Sequence, residues 1–158
     1  MSALGFHDHN HATCIATGVS TAQARCKAEG LQLTPVRQRV LEILLDHHKA
    51  LGAYDILEQL RKEGLGSQPP VAYRALDFLV SNGFAHKIER LNAFVACTHP
   101  AQEHVPVFLM CRACDAVAES RAHPDETLLA PVAEASGFAI ERTVIEAEGL
   151  CPNCQDTA

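Results

Sequence analysis

The sequence predicts an α+β protein with a helical N-terminal half and a smaller α/β C-terminal half. Apolar residues recur at helical spacing through much of the first half, whereas β-branched segments are frequent in the second. Two Cys-x-x-Cys pairs also lie in the second half. A chain of 158 residues accommodates two small domains. We therefore expect a flexible extension over residues 1–18, a first domain over 19–97 and a second domain over 98–158.

Four helices are expected in the first half of the chain. Thr34 is a suitable N-cap, and Pro35 a suitable first residue, for the helix that follows them. Gly30, Gly64 and Gly83 supply the points at which the other helices end. The expected helices cover residues 20–29, 35–46, 53–63 and 69–82.

A short β-hairpin is expected after the fourth helix. Its strands cover Ala85–Arg90 and Ala93–Cys97, and the chain turns at Leu91 and Asn92. Helices followed by a short hairpin are the element order of a winged helix-turn-helix domain. In that kind of domain one helix enters the major groove of DNA.

The second half is expected to combine strands with one helix. Strands are predicted over Val107–Met110, Ala116–Ser120 and Phe138–Glu148. The helix predicted over Asp125–Ser136 contains Pro131, which is tolerated only near a helix start, so this helix is expected to begin late or to kink. We expect the hinge between the two domains within residues 97–102.

Acidic residues are concentrated in the second half. Residues 98–158 carry 3 Lys and Arg against 10 Asp and Glu, and residues 1–97 carry 10 against 9, which gives the net charge of −6. The first half can therefore present a basic face to phosphates. No apolar run approaches the roughly 18 residues that span a bilayer, and the N-terminus lacks the pattern of a secretory signal. The sequence predicts a cytoplasmic protein with reduced cysteines and no membrane partner.

The two Cys-x-x-Cys pairs predict a structural zinc site. They are separated by 36 residues and comprise Cys111, Cys114, Cys151 and Cys154. The spacing within a pair lets a tight turn direct two sulfurs at one point, and two such turns give a closed tetrahedral site. The alternatives are two independent redox pairs or disulfides, and a cytosolic setting favours zinc over both.

A second set of possible metal ligands surrounds the expected hinge. Two imidazoles, one thiolate and one carboxylate would offset the charge of a divalent ion, and the thiolate favours Zn²⁺ over Mn²⁺ and Fe²⁺. One ion bound by all of them would tie the two domains together. The residue types leave open that any one of them is an ordinary surface residue, and that His99 replaces His104. The set consists of His86, Cys97, His104 and Glu119.

The order and spacing of several segments resemble the ferric uptake regulator superfamily, and within it the zinc-sensing members. The segments are LTPVRQRVLEIL, AYDILEQLR, PPVAYRALDFLVSNGFAHKI and the two cysteine pairs, so that the resemblance covers about Leu31 to Cys154. It implies a winged-helix DNA-binding domain and a C-terminal dimerisation domain. It also implies a zinc-responsive repressor of zinc uptake genes, which binds a palindromic operator as a homodimer and holds two zinc ions per chain.

The resemblance also implies roles for individual residues. The four paired cysteines match the structural zinc ligands, and the second set matches the sensory zinc ligands. Tyr54 and Arg74 match residues that touch bases, while Glu58 and Arg61 fall where two dimers can pair on one operator. An arginine can satisfy both major-groove acceptors of guanine. Cationic side chains expected to hold phosphates are Arg37, Arg39 and Lys87.

Some features of the chain depart from the pattern or lie outside it. The superfamily commonly has Thr-Val before the Tyr-Arg pair, whereas this chain has Val71 and Ala72. A tail with His7, His9 and His11, together with the thiols Cys14 and Cys26, has no role that the resemblance assigns. A disordered tail with unused thiols and a weak auxiliary metal tail are the two interpretations of these residues.

Rival functions remain at the level of sequence. The same scaffold could sense iron, manganese or peroxide, and a zinc-storage or interaction module is the alternative outside gene regulation. An enzyme is not expected, because a zinc deaminase needs an HxE motif and a PCxxC motif, and the chain has neither. No small-molecule substrate other than the metal ion is expected.

Overall fold

The computed structural model describes residues 6, 10–47, 49–122 and 128–156. The chain divides into two compact units, of which the first ends at Ala101 and the second begins at Gln102. This division falls within the segment predicted as the hinge. Among the described residues, no helix combines the length and the apolar character needed to cross a membrane.

The described residues of the first unit form four α-helices followed by a two-stranded hairpin. In chain order these are α1 (His11–Glu29), α2 (Pro35–Leu45), α3 (Ala53–Lys62), α4 (Pro69–Ser81), β1 (Ala85–Ile88) and β2 (Ala93–Ala96). The second unit contains β3 (Val105–Cys111), β4 (Val117–Ala122), α5 (Leu129–Ser136), β5 (Ile145–Gly149) and the short α6 (Pro152–Gln155).

Helix α1 is longer than the sequence predicts. It begins at His11, not at Ser20, so the expectation of a flexible extension over residues 1–18 is wrong from His11 onward. The side chain of Asn10 caps the helix by accepting a hydrogen bond from the Ala12 amide at 3.0 Å. Gly30 ends it in the left-handed conformation, with φ 68°. The apolar pattern of this segment is weak because it is rich in Ala and Thr.

The start of α2 matches the prediction. Thr34 has an extended backbone, and its hydroxyl accepts a hydrogen bond from the Arg37 amide at 3.3 Å, while Pro35 is the first helical residue. The carboxylate of Asp55 caps α3 in a similar way, since it accepts from the Gly52 amide at 3.3 Å. Both caps involve residues three positions apart, so the helix starts are marked by local interactions.

The core of the first unit lies between its helices and its hairpin. Side chains from all four helices and from Phe84 are buried together, including Leu44, Ile56 and Leu76. Burying each such side chain stabilises the fold by about 1.5–3 kcal/mol. On α4 the inward residues are Ala72, Ala75, Leu76 and Leu79. The opposite face of α4 is therefore left for contacts with solvent or a ligand.

The hairpin pairs β1 with β2 in the antiparallel register Ala85↔Ala96 to Ile88↔Ala93. A single 3₁₀ turn over Glu89–Leu91 joins the strands, and Asn92 closes it in the left-handed region with φ 46°. Leu51 pairs with Phe94 and ties the hairpin to the segment before α3.

The second unit is a three-stranded sheet with strand order β4-β3-β5. β3 runs antiparallel to β4 and parallel to β5. The strand predicted from Phe138 begins only at Ile145, because the preceding side chains, including Phe138, are exposed. α5 begins at Leu129, which places Pro131 in its first turn, where proline is tolerated. Residues 125–127 of the predicted helix lie outside the described residues.

Candidate metal centres and nucleic-acid interface

The four paired cysteines converge at one end of the second unit. The parallel pairing of β3 with β5 places Cys111 opposite Gly149, and the Arg112 amide donates to the Gly149 carbonyl at 2.9 Å. The chain after β5 therefore reaches the first cysteine pair directly. The sulfurs of Cys111, Cys114, Cys151 and Cys154 all lie within 4.8 Å of one another. The structure thus brings together the set predicted from sequence.

Backbone geometry directs these sulfurs inward. The Cys151 amide donates to the Cys111 sulfur at 3.3 Å, and the sulfurs of Cys114 and Cys151 are 3.8 Å apart. Asp115 closes the first turn with φ 61°, and its amide donates to the Cys111 carbonyl at 3.0 Å. No disulfide joins any of the seven cysteines, all of which are among the described residues.

The cysteine cluster is suited to a divalent ion. The hydrogen bond from the Cys151 amide, with smaller contributions from other amides, lowers the pKa of Cys111 to about 6, so this sulfur is largely a thiolate at neutral pH. The neighbouring thiol of Cys151 is the main cause that raises the pKa of Cys154 to about 12. The Ala116 amide lowers the pKa of Cys114, but the nearby Cys111 sulfur and burial raise it by more. Four clustered sulfurs cannot all ionise without a cation, and Zn²⁺ is the ion that this donor set fits.

Two residues of the second ligand set lie on the hairpin of the first unit. His86 is in β1 opposite Val95, and Cys97 follows β2, where its amide donates to the Phe84 carbonyl at 2.9 Å. The ligand atoms of His86 and Cys97 are within 4.8 Å of each other. The His99 amide donates to the Cys97 sulfur at 3.3 Å, so the segment after β2 turns back onto this sulfur.

The other two residues of this set lie in the second unit. Nε2 of His104 is 2.9 Å from Oε1 of Glu119, and Nδ1 of His104 is 2.7 Å from the Gln102 carbonyl. Both neighbours of the ring are acceptors. The ring therefore either donates from both nitrogens or keeps the Nε2 lone pair for a cation shared with Glu119. A histidine that ligates through one nitrogen and donates to a carbonyl through the other is the usual arrangement at zinc.

The face of α4 and the start of α3 carry the residues predicted to read DNA. The Tyr54 side chain is 68% exposed and that of Tyr73 is 42% exposed, and Arg74 is also exposed. Aromatic rings with polar ends and an exposed guanidinium are groups that bind base edges. The structure therefore leaves Tyr54 and Arg74 available for a ligand.

The predicted phosphate ligands are already engaged within the first unit. Arg39 bonds the carboxylates of Glu42 at 2.9 Å and Glu63 at 2.7 Å. The Arg37 guanidinium lies 3.9 Å from the centre of the Phe78 ring, and Nζ of Lys87 is 3.4 Å from Glu89. These contacts offset the charge of Arg39 and Lys87 before any phosphate approaches.

The pair predicted to join two dimers is exposed on α3. Glu58 pairs with Lys62 of its own helix at 3.1 Å, and Arg61 is exposed.

Of the N-terminal residues without an assigned role, His7 and His9 lie outside the described residues, while His11 and Cys14 are in the first turn of α1. Neither belongs to a cluster of three or more metal-ligating groups within the described part of the chain.

Comparison with known proteins assigns the family. The model of the family described as "Ferric uptake regulator family" matches residues 28–148. The chain belongs to the ferric uptake regulator family. The matched residues include helix α4, the hairpin, and the two strands that precede and follow the first cysteine pair. It confirms the resemblance that the sequence motifs indicated.

Individual members of the ferric uptake regulator family are similar over most of their length. The chain is 38% identical over 137 residues to the zinc uptake regulation protein of Escherichia coli strain K12, covering 86% of this chain and 80% of that protein. It is 27% identical over 131 residues to the zinc uptake regulation protein of Mycobacterium tuberculosis strain H37Rv, covering 81% and 98%. A solved zinc uptake regulator complexed with zinc and DNA has a TM-score of 0.85 at 37% identity, covering 90% and 96%.

One contact in this ferric uptake regulator family member has no signal in the sequence. Arg25 of α1 donates to the carbonyl of Pro100, which is 75 residues away and follows Cys97 closely. Neither periodicity nor a motif predicts such a contact, because it depends on how α1 packs beside the hairpin. Sequence reasoning therefore missed a residue next to a candidate ligand.

Proposed function

We propose that this chain is a zinc-responsive transcriptional repressor that binds palindromic operator DNA as a homodimer and controls genes for zinc uptake. The observation that carries the proposal is that each unit presents two convergent ligands, His86 with Cys97 and His104 with Glu119. Each pair is half of a tetrahedral zinc shell. The similar proteins, which include a zinc uptake regulation protein and a solved zinc uptake regulator complexed with zinc and DNA, support the same function.

The regulatory zinc site takes both ligand pairs in this proposal. The thiolate of Cys97 and the carboxylate of Glu119 neutralise a divalent ion, while the two imidazoles add no charge. The thiolate favours Zn²⁺ over the harder Mn²⁺ and the less strongly bound Fe²⁺. The His104 ring is held by the Gln102 carbonyl, which fixes the nitrogen that faces the ion.

The structural site is assigned to the four paired cysteines. They leave no open coordination position, so their role is to hold the second unit together and not to sense the metal concentration. The expected content is therefore two zinc ions per chain, one at each site.

The switch acts on the segment between the two units. When His86 and Cys97 share an ion with His104 and Glu119, the hairpin is held to the C-terminal unit, and the two reading helices of a dimer are held at one spacing. Moving such an equilibrium from about 1:99 to 99:1 requires about 5.5 kcal/mol of differential affinity. A zinc site with a thiolate ligand supplies free energy of that size.

The reading surface consists of Arg74 and Tyr54 in this proposal. Arg74 donates to N7 and O6 of guanine, and Tyr54 supplies an apolar ring and a hydroxyl to a neighbouring base. Phosphates of the operator are contacted by Arg37, Arg39 and Lys87. To do so, Arg39 gives up some of its hydrogen bonds to Glu42 and Glu63 and forms hydrogen bonds to a phosphate instead. Glu58 and Arg61 join two dimers on one operator.

The second unit supplies the dimer interface. β5 lies at an edge of its sheet and pairs only with β3 among the described strands. Large apolar side chains nearby in the sequence are exposed, with Val132 66% and Phe138 68% exposed. A second copy of the chain can cover these apolar side chains and pair with the free edge of the sheet, so that neither stays exposed to water.

The protein works in the cytoplasm, where its thiols remain reduced.

The experiment compares wild type with Cys97→Ser in operator-binding titrations at buffered Zn²⁺, Fe²⁺ and Mn²⁺. We expect zinc to induce binding by wild type at the lowest free concentration and to induce none by Cys97→Ser, which remains a dimer. Cys14→Ser is the matched control, because Cys14 lies on α1 outside any ligand cluster of the described residues. Normal zinc-dependent binding by Cys97→Ser contradicts the sensory role, and stronger induction by Fe²⁺ or Mn²⁺ supports the alternative of another sensed metal.

A further inference from the structure

Arg25 of α1 contacts three groups at once beside the end of the hairpin. Its Nη1 donates to the Pro100 carbonyl at 2.7 Å. Its guanidinium carbon lies 4.6 Å from the centre of the Phe84 ring. Its Nε and Nη2 bond the carboxylate of Glu29, each at 3.3 Å. The side chain is 27% exposed, so these contacts are partly shielded from water.

Two of these contacts are to residues connected with the candidate ligand Cys97. The Phe84 carbonyl accepts a hydrogen bond from the Cys97 amide at 2.9 Å, and this hydrogen bond fixes the backbone at Cys97. Pro100 follows three residues later, after His99, whose amide donates to the Cys97 sulfur at 3.3 Å. Arg25 therefore touches both the residue that anchors Cys97 and the end of the turn that bonds its sulfur.

We infer that Arg25 is a positioning residue for the Cys97 zinc ligand, holding the turn from Cys97 to Pro100 in the conformation that metal binding requires. The inference rests on the proposed function, in which Cys97 ligates the regulatory zinc. Arg25 coordinates nothing itself. Because Arg25 already restricts the turn in the metal-free protein, the turn loses less conformational entropy when the metal binds. The affinity of the site for the metal is therefore higher.

An arginine is needed for this arrangement. A guanidinium is planar and carries five N–H donors, so it stacks on a ring with its face while donating to a carboxylate and a carbonyl at its edge. The guanidinium also lies beside the left-handed turn at Gly83, where an added Cβ would stand at an ordinary van der Waals distance of 3.9 Å from Nη1 of Arg25. A lysine reaches the Pro100 carbonyl with one donor but cannot make the other two contacts in the same geometry.

A purely structural role for Arg25 makes a different prediction. If Arg25 only attached α1 to the unit, its loss would lower the free energy of unfolding and leave the metal affinity of the folded protein unchanged. If it positions Cys97, its loss weakens the metal site even in fully folded protein and alters the environment of the bound metal. Metal affinity and a spectrum of the bound ion separate the two roles.

The test uses full-length protein that retains one structural zinc and is titrated with Co²⁺ or Zn²⁺ at the second site, with the dissociation constant measured by chelator competition. Variants are Arg25→Met, Arg25→Lys, Cys97→Ser and the control Lys27→Met, which removes an exposed charge from the same helix. We expect Arg25→Met to weaken the second site about tenfold, within the range for residues that orient ligands. Arg25→Lys should lie between Arg25→Met and wild type, and Lys27→Met should equal wild type.

The spectra and the cysteine variant distinguish the possible failures. A weaker or shifted thiolate-to-cobalt charge-transfer band in Arg25→Met supports the inference, as does partial recovery in Arg25→Lys. Unchanged affinity and spectrum in both Arg25 variants, with a clear loss in Cys97→Ser, overturn the inference and leave the proposed function standing. An unchanged second site in Cys97→Ser overturns both. If Arg25→Met does not fold, Arg25→Lys alone decides, and wild-type affinity in that variant overturns the inference.

Discussion

His104 and Glu119 form a buried pair in which Nε2 of the ring stands 2.9 Å from a carboxylate oxygen, with the two side chains 8% and 2% exposed. Nδ1 of the same ring faces the Gln102 carbonyl, so each of the two ring nitrogens has an acceptor oxygen beside it. If the ring donates from Nδ1 to that carbonyl, its Nε2 lone pair and the carboxylate face the same point, which a cation can occupy. The pair is therefore suited to form half of a metal site.

The first prediction concerns Glu119→Gln. The amide is a neutral and weaker ligand, and its N–H can donate to the Nε2 lone pair of His104, which stabilises the metal-free pair. We expect zinc affinity at the regulatory site to fall by at least about tenfold, with the structural zinc retained. Chelator competition measures the loss, and Glu134→Gln on the exposed side of α5 is the control. Equal affinities for Glu119→Gln and wild type would show that Glu119 is not a ligand.

The second prediction concerns Cys111→Ser. Structural zinc sites contribute about 10–16 kcal/mol of apparent binding free energy, which is as large as the whole stability of a typical domain, about 5–15 kcal/mol. We expect this variant to lose one zinc ion per chain and the fold of the second unit, and to elute as a monomer or an aggregate. Metal analysis, circular dichroism and size-exclusion chromatography measure these losses. A well-folded dimer without the zinc would refute the structural role.

The third prediction concerns Arg74→Ala. A bidentate contact to guanine contributes about 1–3 kcal/mol of discrimination against the wrong base, so operator affinity should fall by a corresponding factor of about 5–150. Preference at one base pair in each half-site should also relax. Binding to a panel of operators with single substitutions measures both effects, with Lys27→Met as the control. A uniform loss across the panel would instead assign Arg74 to a phosphate.

The fourth prediction concerns pH and the link between α2 and α3. The hydrogen bond from Arg39 lowers the pKa of Glu63, so the pair stabilises the first unit above the ordinary pKa of a glutamate, about 4.3. That contribution is lost as the pH falls through the lowered pKa. Because solvent screens the pair, Glu63→Gln should cost no more than about 1 kcal/mol at pH 7.

The cost of Glu63→Gln should become smaller as the pH falls towards and through the lowered pKa of Glu63. Urea unfolding of zinc-free protein, followed by a signal from the first unit at pH 7 and near pH 3, measures the difference from wild type. Glu134→Gln on α5 is the control at both pH values. A difference that persists unchanged at the lower pH would mean that Glu63 acts through packing and not through its charge.

Local chemistry was sufficient to predict much of the fold. Thr34 and Pro35 mark the start of α2 because a cap and a first-turn proline act within a few residues, and the inward face of α4 follows from spacing alone. The cysteine pairs predict their own convergence because a closed zinc site needs four ligands. In each of these cases the determining interactions are short in sequence or are dictated by the chemistry of the ligand.

The incorrect predictions fall where the apolar pattern is weak or where contacts between distant parts of the chain decide the structure. α1 extends back to His11 although its apolar pattern is weak, and the segment from Phe138 stays outside the sheet although its composition favours a strand. The sequence also cannot show that Arg39 is held by Glu63, 24 residues away, or that Arg25 reaches Pro100. Roles for single arginines are therefore the least predictable part of the site.

The parallel arrangement of β3 and β5 has a consequence during synthesis of the chain. Cys111 and Cys151 are 40 residues apart, so a ribosome that adds about 5–20 residues per second makes the first cysteine pair about 2–8 s before the second pair begins. Throughout that interval the first two thiols have no partner sulfurs with which to close a metal shell. The two thiols of the first pair are thus open to oxidants for those seconds, and the structural zinc can be enclosed only after the second pair has been made.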